Sequence, residues 1–344
     1  GSKNFPKNSI DEYFNSIGLN LGSHFNAYTS FEVTSYDIEI PTNVEGALDK
    51  GLLFLSDIIN NLDLTNESFE KERKIVEEEI LSDLTGGTKY IDIYFEELLK
   101  GSKFPKRFPR GDLEVIRNFK YQDVIDYYNK WYQPENIGLF IVGDIDKNEV
   151  LKIVKKYFFK IPSEPIISDI DFTVPEYSED KFLKYQDEKE NRIEFSIYKK
   201  NKFNKLNTKK NYRKNILQGL TYDIFRKRLD EISYSNDPDF ISSGIGKSDF
   251  NQNYSFEYFF VNLTKENLER GITRFYTEVE RVLRYGFNEA ELKAAKDRYL
   301  LTSEDDLLES KTRSSISYVD EFERNYLNDE MISGKEYELK LKKE

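Results

Sequence analysis

The stretch Phe25-Asn26-Ala27-Tyr28-Thr29-Ser30-Phe31-Glu32-Val33-Thr34-Ser35-Tyr36-Asp37-Ile38-Glu39-Ile40 decides the fold class. It is rich in Thr, Tyr, Phe, Val and Ile and reads as two strands around a turn near Ser30 to Glu32, with Pro41 closing the second. The pattern then changes period. Ala47, Leu48, Leu52, Leu55, Ile58 and Ile59 fall on one helical face across Val44–Leu62. A second helix is expected over Glu67–Leu84, with Thr65 or Asn66 as N-cap, the stripe Phe69, Val76, Ile80 and Leu84, and Gly86-Gly87 as its stop. A third covers Ile91–Lys100 and ends at Gly101. Asp123–Trp131 reads as helix, Asn136–Val142 as a buried strand, and Asp146 as the cap of a helix reaching Phe159. Strands followed by helices in one stretch mean α+β.

Pro162, Pro165 and Pro175 then cluster and mark a linker. Beyond it the theme returns: a strand over Arg192–Tyr198, a helix over Asn211–Asp230, a hairpin of Phe240–Ser248 with Tyr254–Leu263, and a helix capped by Thr264. Asn288 with Glu291 opens the next helix, and acidic, helix-compatible sequence runs to the end. The expected organisation is a first domain over 1–160, a linker over 161–182 and a second, structurally similar domain over 183–344. Each would be a mostly antiparallel sheet with helices on one face.

The 344 residues carry 51 basic and 63 acidic side chains, a net charge of −12. Such a chain is a poor nonspecific binder of nucleic acid, and the basic runs Lys199-Lys200-Asn201-Lys202 and Lys209-Lys210 read as solvated faces. No apolar run reaches the roughly 20 residues of a membrane helix. The absence of Cys excludes disulfides, thiolate metal sites and a cysteine nucleophile, and the single His24 excludes a metal site with two His from this chain alone. Gly244-Ile245-Gly246-Lys247-Ser248 lacks the spacing of a phosphate loop and sits in a hairpin. Ser-His-Asp catalysis has no nucleophile elbow to support it.

Two features carry chemistry. Glu72 and Glu79 are seven residues apart on one helix, so both carboxylates lie in one stripe bordering Val76 and Ile80. They are either a functional acid pair or solvated surface, paired with Lys71, Arg73 and Lys74. Asn26, Ala27, Tyr28 and Thr29 form a strand whose small side chains suit either an ordinary hairpin or binding of an extended peptide by strand addition.

Several stretches together resemble the pitrilysin/insulinase family of zinc metallopeptidases: Lys3-Asn4-Phe5-Pro6-Lys7 through Tyr36, Glu72-Arg73-Lys74-Ile75-Val76-Glu77-Glu78-Glu79-Ile80, Tyr132-Gln133-Pro134-Glu135-Asn136 with Val142-Gly143-Asp144-Ile145-Asp146, and Tyr285-Gly286-Phe287-Asn288-Glu289-Ala290-Glu291-Leu292. The resemblance covers most of the chain in the family's order. It implies a zinc site in which two His of His-x-x-Glu-His bind the metal and the Glu of that motif is general base. A distant Glu is the third ligand, which leaves one zinc position open for water. That ligand matches Glu79, and Glu72 matches the supporting acid. The resemblance also implies an extended peptide substrate held along Asn26–Thr29. The departure is equally clear. In the family, His-x-x-Glu-His lies just upstream of the stretch that Gly1–Pro6 resembles, so the metal helix and the strand before it are expected outside this chain. So is the second homologous half, with its Arg/Tyr pair. The implied reading is a zinc metalloendopeptidase whose 344-residue portion is inactive alone. The alternative is a non-catalytic family member, a partner subunit or peptide-binding scaffold.

Overall fold

A computed structural model describes residues 1–20, 22–85, 89–163, 171–177, 179–188 and 193–344. Two compact units divide the chain, Gly1–Leu183 and Lys184–Glu344.

The first unit opens with helix α1 (Ser9–Ser16) and the antiparallel hairpin β1 (Phe25–Thr29) and β2 (Thr34–Ile38). Among the described residues the α-helices that follow are α2 (Ala47–Asn60), α3 (Asn66–Thr85), α4 (Lys89–Leu98), α5 (Leu113–Asn118), α6 (Tyr121–Trp131) and α7 (Lys147–Tyr157). The helix α1 was legible in Ile10, Tyr13, Phe14 and Ile17, an i, i+3, i+4, i+7 pattern that the sequence reading passed over. Phe5, Ile10, Phe14, Leu19, Phe54 and Ile58 form the core. Phe54 of α2 is its hub, meeting Phe14 and Phe25 edge-on at 5.5 and 5.2 Å, the arrangement that aromatic quadrupoles favour. The N-terminal segment is stitched to the end of α2 by Asp57, which is fully buried. Its carboxylate accepts from Ser2 Oγ (2.6 Å), from the Asn4 amide and side chain (3.0 and 2.8 Å) and from Asn61 Nδ2 (3.1 Å).

One expectation fails. Residues 137–142 form no strand. Ile137 is extended (φ −115°, ψ 128°), but no ladder among the described residues includes this segment, and Leu139 is exposed. An apolar run with strand propensity becomes a strand only where a neighbour accepts its N–H and C=O groups. The Gly86-Gly87 stop, Pro165 and Arg192 lie outside the described residues. In the proline-rich stretch, Val174 is buried and the Tyr177 hydroxyl donates to the Glu97 carbonyl at 2.8 Å.

The second unit is built on a three-stranded antiparallel sheet, β3 (Ile193–Lys202), β4 (Ser242–Asp249) and β5 (Tyr254–Leu263), in the order β3-β5-β4. Its register runs from Ile193↔Leu263 to Lys202↔Tyr254, and from Ser242↔Asn262 to Asp249↔Ser255. Helix α8 (Lys209–Ser233) joins β3 to β4, and α9 (Leu268–Tyr285), α10 (Glu289–Glu309), α11 (Ser315–Asn328) and α12 (Lys335–Lys343) follow β5. Strand alternation turns Ile245, Val261 and Leu263 toward Phe225 and Leu229 of α8 and Phe275 of α9, closing a core around Phe240. On the other face the Tyr258 and Phe260 rings lie over Gly246 and Gly244, where any Cβ would meet them at under 3 Å. The molecule is thus α+β, with antiparallel sheets and packed helices.

Candidate functional site

Helix α3 begins where its cap dictates. Thr65 Oγ1 accepts the Ser68 amide at 3.1 Å, and Ser68 Oγ accepts the Thr65 amide at 3.2 Å, which satisfies two donors at the helix start. Arginines then fix one side of the helix. The Arg73 guanidinium sits between the Phe69 and Phe119 rings, 4.5 and 4.6 Å from their centroids. It pairs with Glu70 at 3.2 Å and donates to the Ile116 and Phe119 carbonyls. Glu77 pairs with Arg117 at 2.7 Å. Ile80 is buried and Val76 half-buried on this side.

Glu72, Glu78 and Glu79 are different. All three are exposed, and none makes an ion pair or side-chain hydrogen bond among the described residues. Glu72 and Glu79 share one face. Between them on the same face stands Ile75, itself about half exposed (49 %). The expected pairing of this acidic run with Lys71, Arg73 and Lys74 therefore holds for Glu70 with Arg73. Glu77 finds Arg117 instead, and Glu72, Glu78 and Glu79 remain open to solvent, as solvated surface would be.

The strand Asn26-Ala27-Tyr28-Thr29 is also exposed. The phase of the hairpin follows from its end bonds. Glu39 N–H donates to the His24 carbonyl (2.7 Å) and Ser30 N–H to the Val33 carbonyl (2.8 Å). Even-numbered residues thus bond across to β2, while Phe25, Ala27 and Thr29 turn their backbone groups to the other edge. On that edge Asn26 Oδ1 accepts the Ala27 N–H at 2.9 Å. No hydrogen bond or ion pair among the described residues joins Asn26–Thr29 to Glu72 or Glu79.

Two tyrosine contacts of the first unit went unseen in the sequence, one joining β2 to Tyr132 and one joining α6 to α2. The Tyr36 and Tyr132 hydroxyls meet at 2.7 Å, and burial together with that bond pushes the Tyr132 phenol well above its ordinary value. Tyr128 OH donates to the Ile58 carbonyl at 2.8 Å, and burial raises its phenol to about 12. At the hairpin tip Phe31 stands edge-on to Phe104 and Phe108, at 5.3 and 5.6 Å. The only signal for these contacts was aromatic abundance, which does not say which ring meets which.

Comparison with known proteins supplies the frame for this geometry. A model of the insulinase family (peptidase family M16) matches residues 1–82, and a model described as the peptidase M16 inactive domain matches 118–299, more than half of the chain. The chain belongs to peptidase family M16. The insulinase match takes in the hairpin and both open glutamates. Among relatives of this M16 chain, a probable zinc protease PqqL from Haemophilus influenzae is 24 % identical over 89 % of it and 33 % of the relative. A PQQL-like zinc protease from Arabidopsis thaliana is 26 % identical over 98 % of it and again 33 % of the relative. The chain thus spans about a third of the length of these relatives. Its fold superposes on a crystal structure of the first half of the periplasmic protease PqqL from Escherichia coli, with TM-score 0.89 and 22 % identity, over 100 % of this chain and 74 % of that one.

These residues alone do not compose a zinc site of the M16 type. Among the described residues no three His, Cys, Asp or Glu side chains converge. His24 Nδ1 is taken up locally, accepting the Asn20 amide at 3.2 Å beside Ser23 Oγ at 3.1 Å. Two carboxylates offer oxygen ligands and no imidazole stands with them. No helix of the described residues is long and apolar enough to cross a membrane.

Proposed function

We propose that this chain belongs to a zinc-dependent metalloendopeptidase acting on extended peptides, in which Glu79 is the third zinc ligand and Glu72 supports it. The strand Asn26, Ala27, Tyr28 and Thr29 holds the substrate by strand addition, with the backbone groups of Ala27 and Thr29 on the open edge. The observation that supports the reading is that Glu72 and Glu79 stay open on one face of α3 with Ile75 between them, while Glu70 and Glu77 are bound to arginines and the also open Glu78 lies off that face. An accessible, unpaired carboxylate is what a metal ligand requires before the metal arrives. The imidazole ligands and the second homologous half come from the longer protein, and the 344 residues alone leave peptides uncut.

The domain plan proposed from the sequence is 1–160, 161–182 and 183–344, with the two domains related by duplication. A second reading, a non-catalytic partner or peptide-binding scaffold, draws on the inactive-domain match over 118–299.

The test is Glu79→Gln in the full-length protein. Zinc content by atomic absorption is expected to fall and peptide hydrolysis to vanish while circular dichroism stays unchanged. Unaltered zinc content and turnover would overturn the ligand assignment. A full-length wild-type protein that binds peptides without cleaving them establishes the scaffold.

A further inference from the structure

The stretch from Lys199 to Lys214 departs from the charge balance of the rest. It holds seven lysines and Arg213 and no acidic residue, which leaves 43 basic against 63 acidic side chains elsewhere in the chain. Structurally it is the end of β3, the following loop and the first turns of α8. The loop is tied down. Asn211 Nδ2 donates to the Lys205 carbonyl at 2.8 Å, Asn204 Nδ2 donates to the Asn211 carbonyl at 3.2 Å, and Phe203 N–H donates to the Asn253 carbonyl at 2.7 Å. The backbone that carries these charges is therefore held in place.

Part of this charge is answered within the unit. Lys199 lies 3.8 Å from Glu257, and Lys209 sits over the Tyr337 ring with Glu344 nearby. Asp329 is also close, accepting from Asn207 at 2.8 Å. Lys200 sits over the Tyr254 ring. The other five cations, Lys202, Lys205, Lys210, Arg213 and Lys214, are all exposed and have no ion-pair partner among the described residues. On α8 the steps 210, 213, 214 and 217 fall on one face, which places the 54 %-exposed Leu217 beside three cations. The first turn of α8 has no acidic residue, so these cations oppose the helix dipole, and Lys210 and Lys214 repel each other one turn apart. Folding gains nothing from this arrangement, and an anionic partner relieves both costs.

We propose that this basic face is a docking surface for an acidic segment of a polypeptide substrate, with Leu217 receiving an apolar side chain among the acids. The polypeptide class rests on the peptidase reading above. Charge complementarity selects the acidic segment, and the surrounding excess of acid selects a short one. A duplex or an anionic bilayer extends past the patch and meets a surface of its own sign.

The test is fluorescence anisotropy with a short fluorescein-labelled peptide of glutamates around a central leucine. Binding to the 344-residue chain is expected to weaken as salt rises. It should fall by about tenfold or more in K210E/R213E/K214E, fall less in K210Q/R213Q/K214Q, and stay unchanged in K152E on α7 of the first unit. Equal binding by the triple variants overturns the proposal, as does tighter binding of a DNA duplex or of phosphatidylserine vesicles at the same face. The same triple variant in the full-length protein should raise KM for a peptide bearing the acidic segment and leave kcat and the untagged peptide unchanged. Salt-sensitive binding without any hydrolysis would sink the peptidase reading and leave the docking surface standing.

Discussion

Asp57 is fully buried, and its four hydrogen-bond donors are all uncharged. A buried carboxylate satisfied this way holds its neighbours tightly, because removing it strands every donor at once. Asp57→Ala is expected to destabilise the first unit by about 2–4 kcal/mol, measured by urea unfolding followed through Trp131. A loss below about 0.5 kcal/mol would mean that water replaces the carboxylate at little cost. The same scale shows the reach and the limit of spacing arguments. Glu72 and Glu79 were legible as one stripe, since seven residues nearly close two turns. That Glu77 would meet Arg117 was not legible, because Arg117 lies forty residues further along the chain.

The start of α10 was legible because its chemistry is local, whereas α9 opens at Leu268 behind Asn267 rather than on the expected Thr264 cap. Asn288 accepts the Glu291 amide at 2.9 Å while the Glu291 carboxylate accepts the Asn288 N–H at 2.8 Å, as the spacing implied. The same carboxylate accepts from Arg228 at 2.7 Å. That bond holds Glu291 below the usual carboxylate range, against the opposing effect of burial. A lowered folded value means stability that is complete above the ordinary carboxylate range and lost as pH falls through the lowered value. E291Q should therefore flatten the acid limb of the stability–pH profile below about pH 5, and an unchanged limb would refute the coupling. In α8 the opposite arrangement holds, with cations in the first turn. Lys210→Glu is expected to raise stability by about 0.3–1 kcal/mol in thermal unfolding even as it weakens acidic-peptide binding. Within α9, Gly271 is required by proximity, since a Cβ there would lie 2.6 Å from the Asp239 carbonyl and 2.2 Å from Leu263 Cδ2. Gly271→Ala should cost about 1–3 kcal/mol despite alanine's better helix propensity.

Each unit closes its own core, one around Phe54 and the other around Phe240 and Phe275. Phe240→Ala is expected to cost about 3–5 kcal/mol. It should lower the unfolding midpoint seen by far-UV circular dichroism and leave that of Trp131, the single tryptophan, in place. Coincident shifts by both probes would show that the units unfold as one.

Periodicity, caps and turn residues were enough to name the class of fold, the hairpin at Phe25–Ile38 and most helices, because each depends on residues within a few turns of one another. The same string identified the two glutamates and the strand that resembles a substrate edge. Folding settled what depends on distant partners. Asn136–Val142 reads as a strand but no ladder among the described residues includes it, since pairing requires a neighbour that strand propensity cannot supply. Tyr36 meets Tyr132 and Phe31 meets Phe104 only because the chain returns to them. The basic runs Lys199-Lys200-Asn201-Lys202 and Lys209-Lys210 read as solvated faces, and the exposed Lys202 and Lys210 agree with that; only folding ties down the loop between them and sets Lys210, Arg213, Lys214 and Leu217 on one face of α8. Charge is written in the sequence, but its neutralisation is a property of the packed molecule.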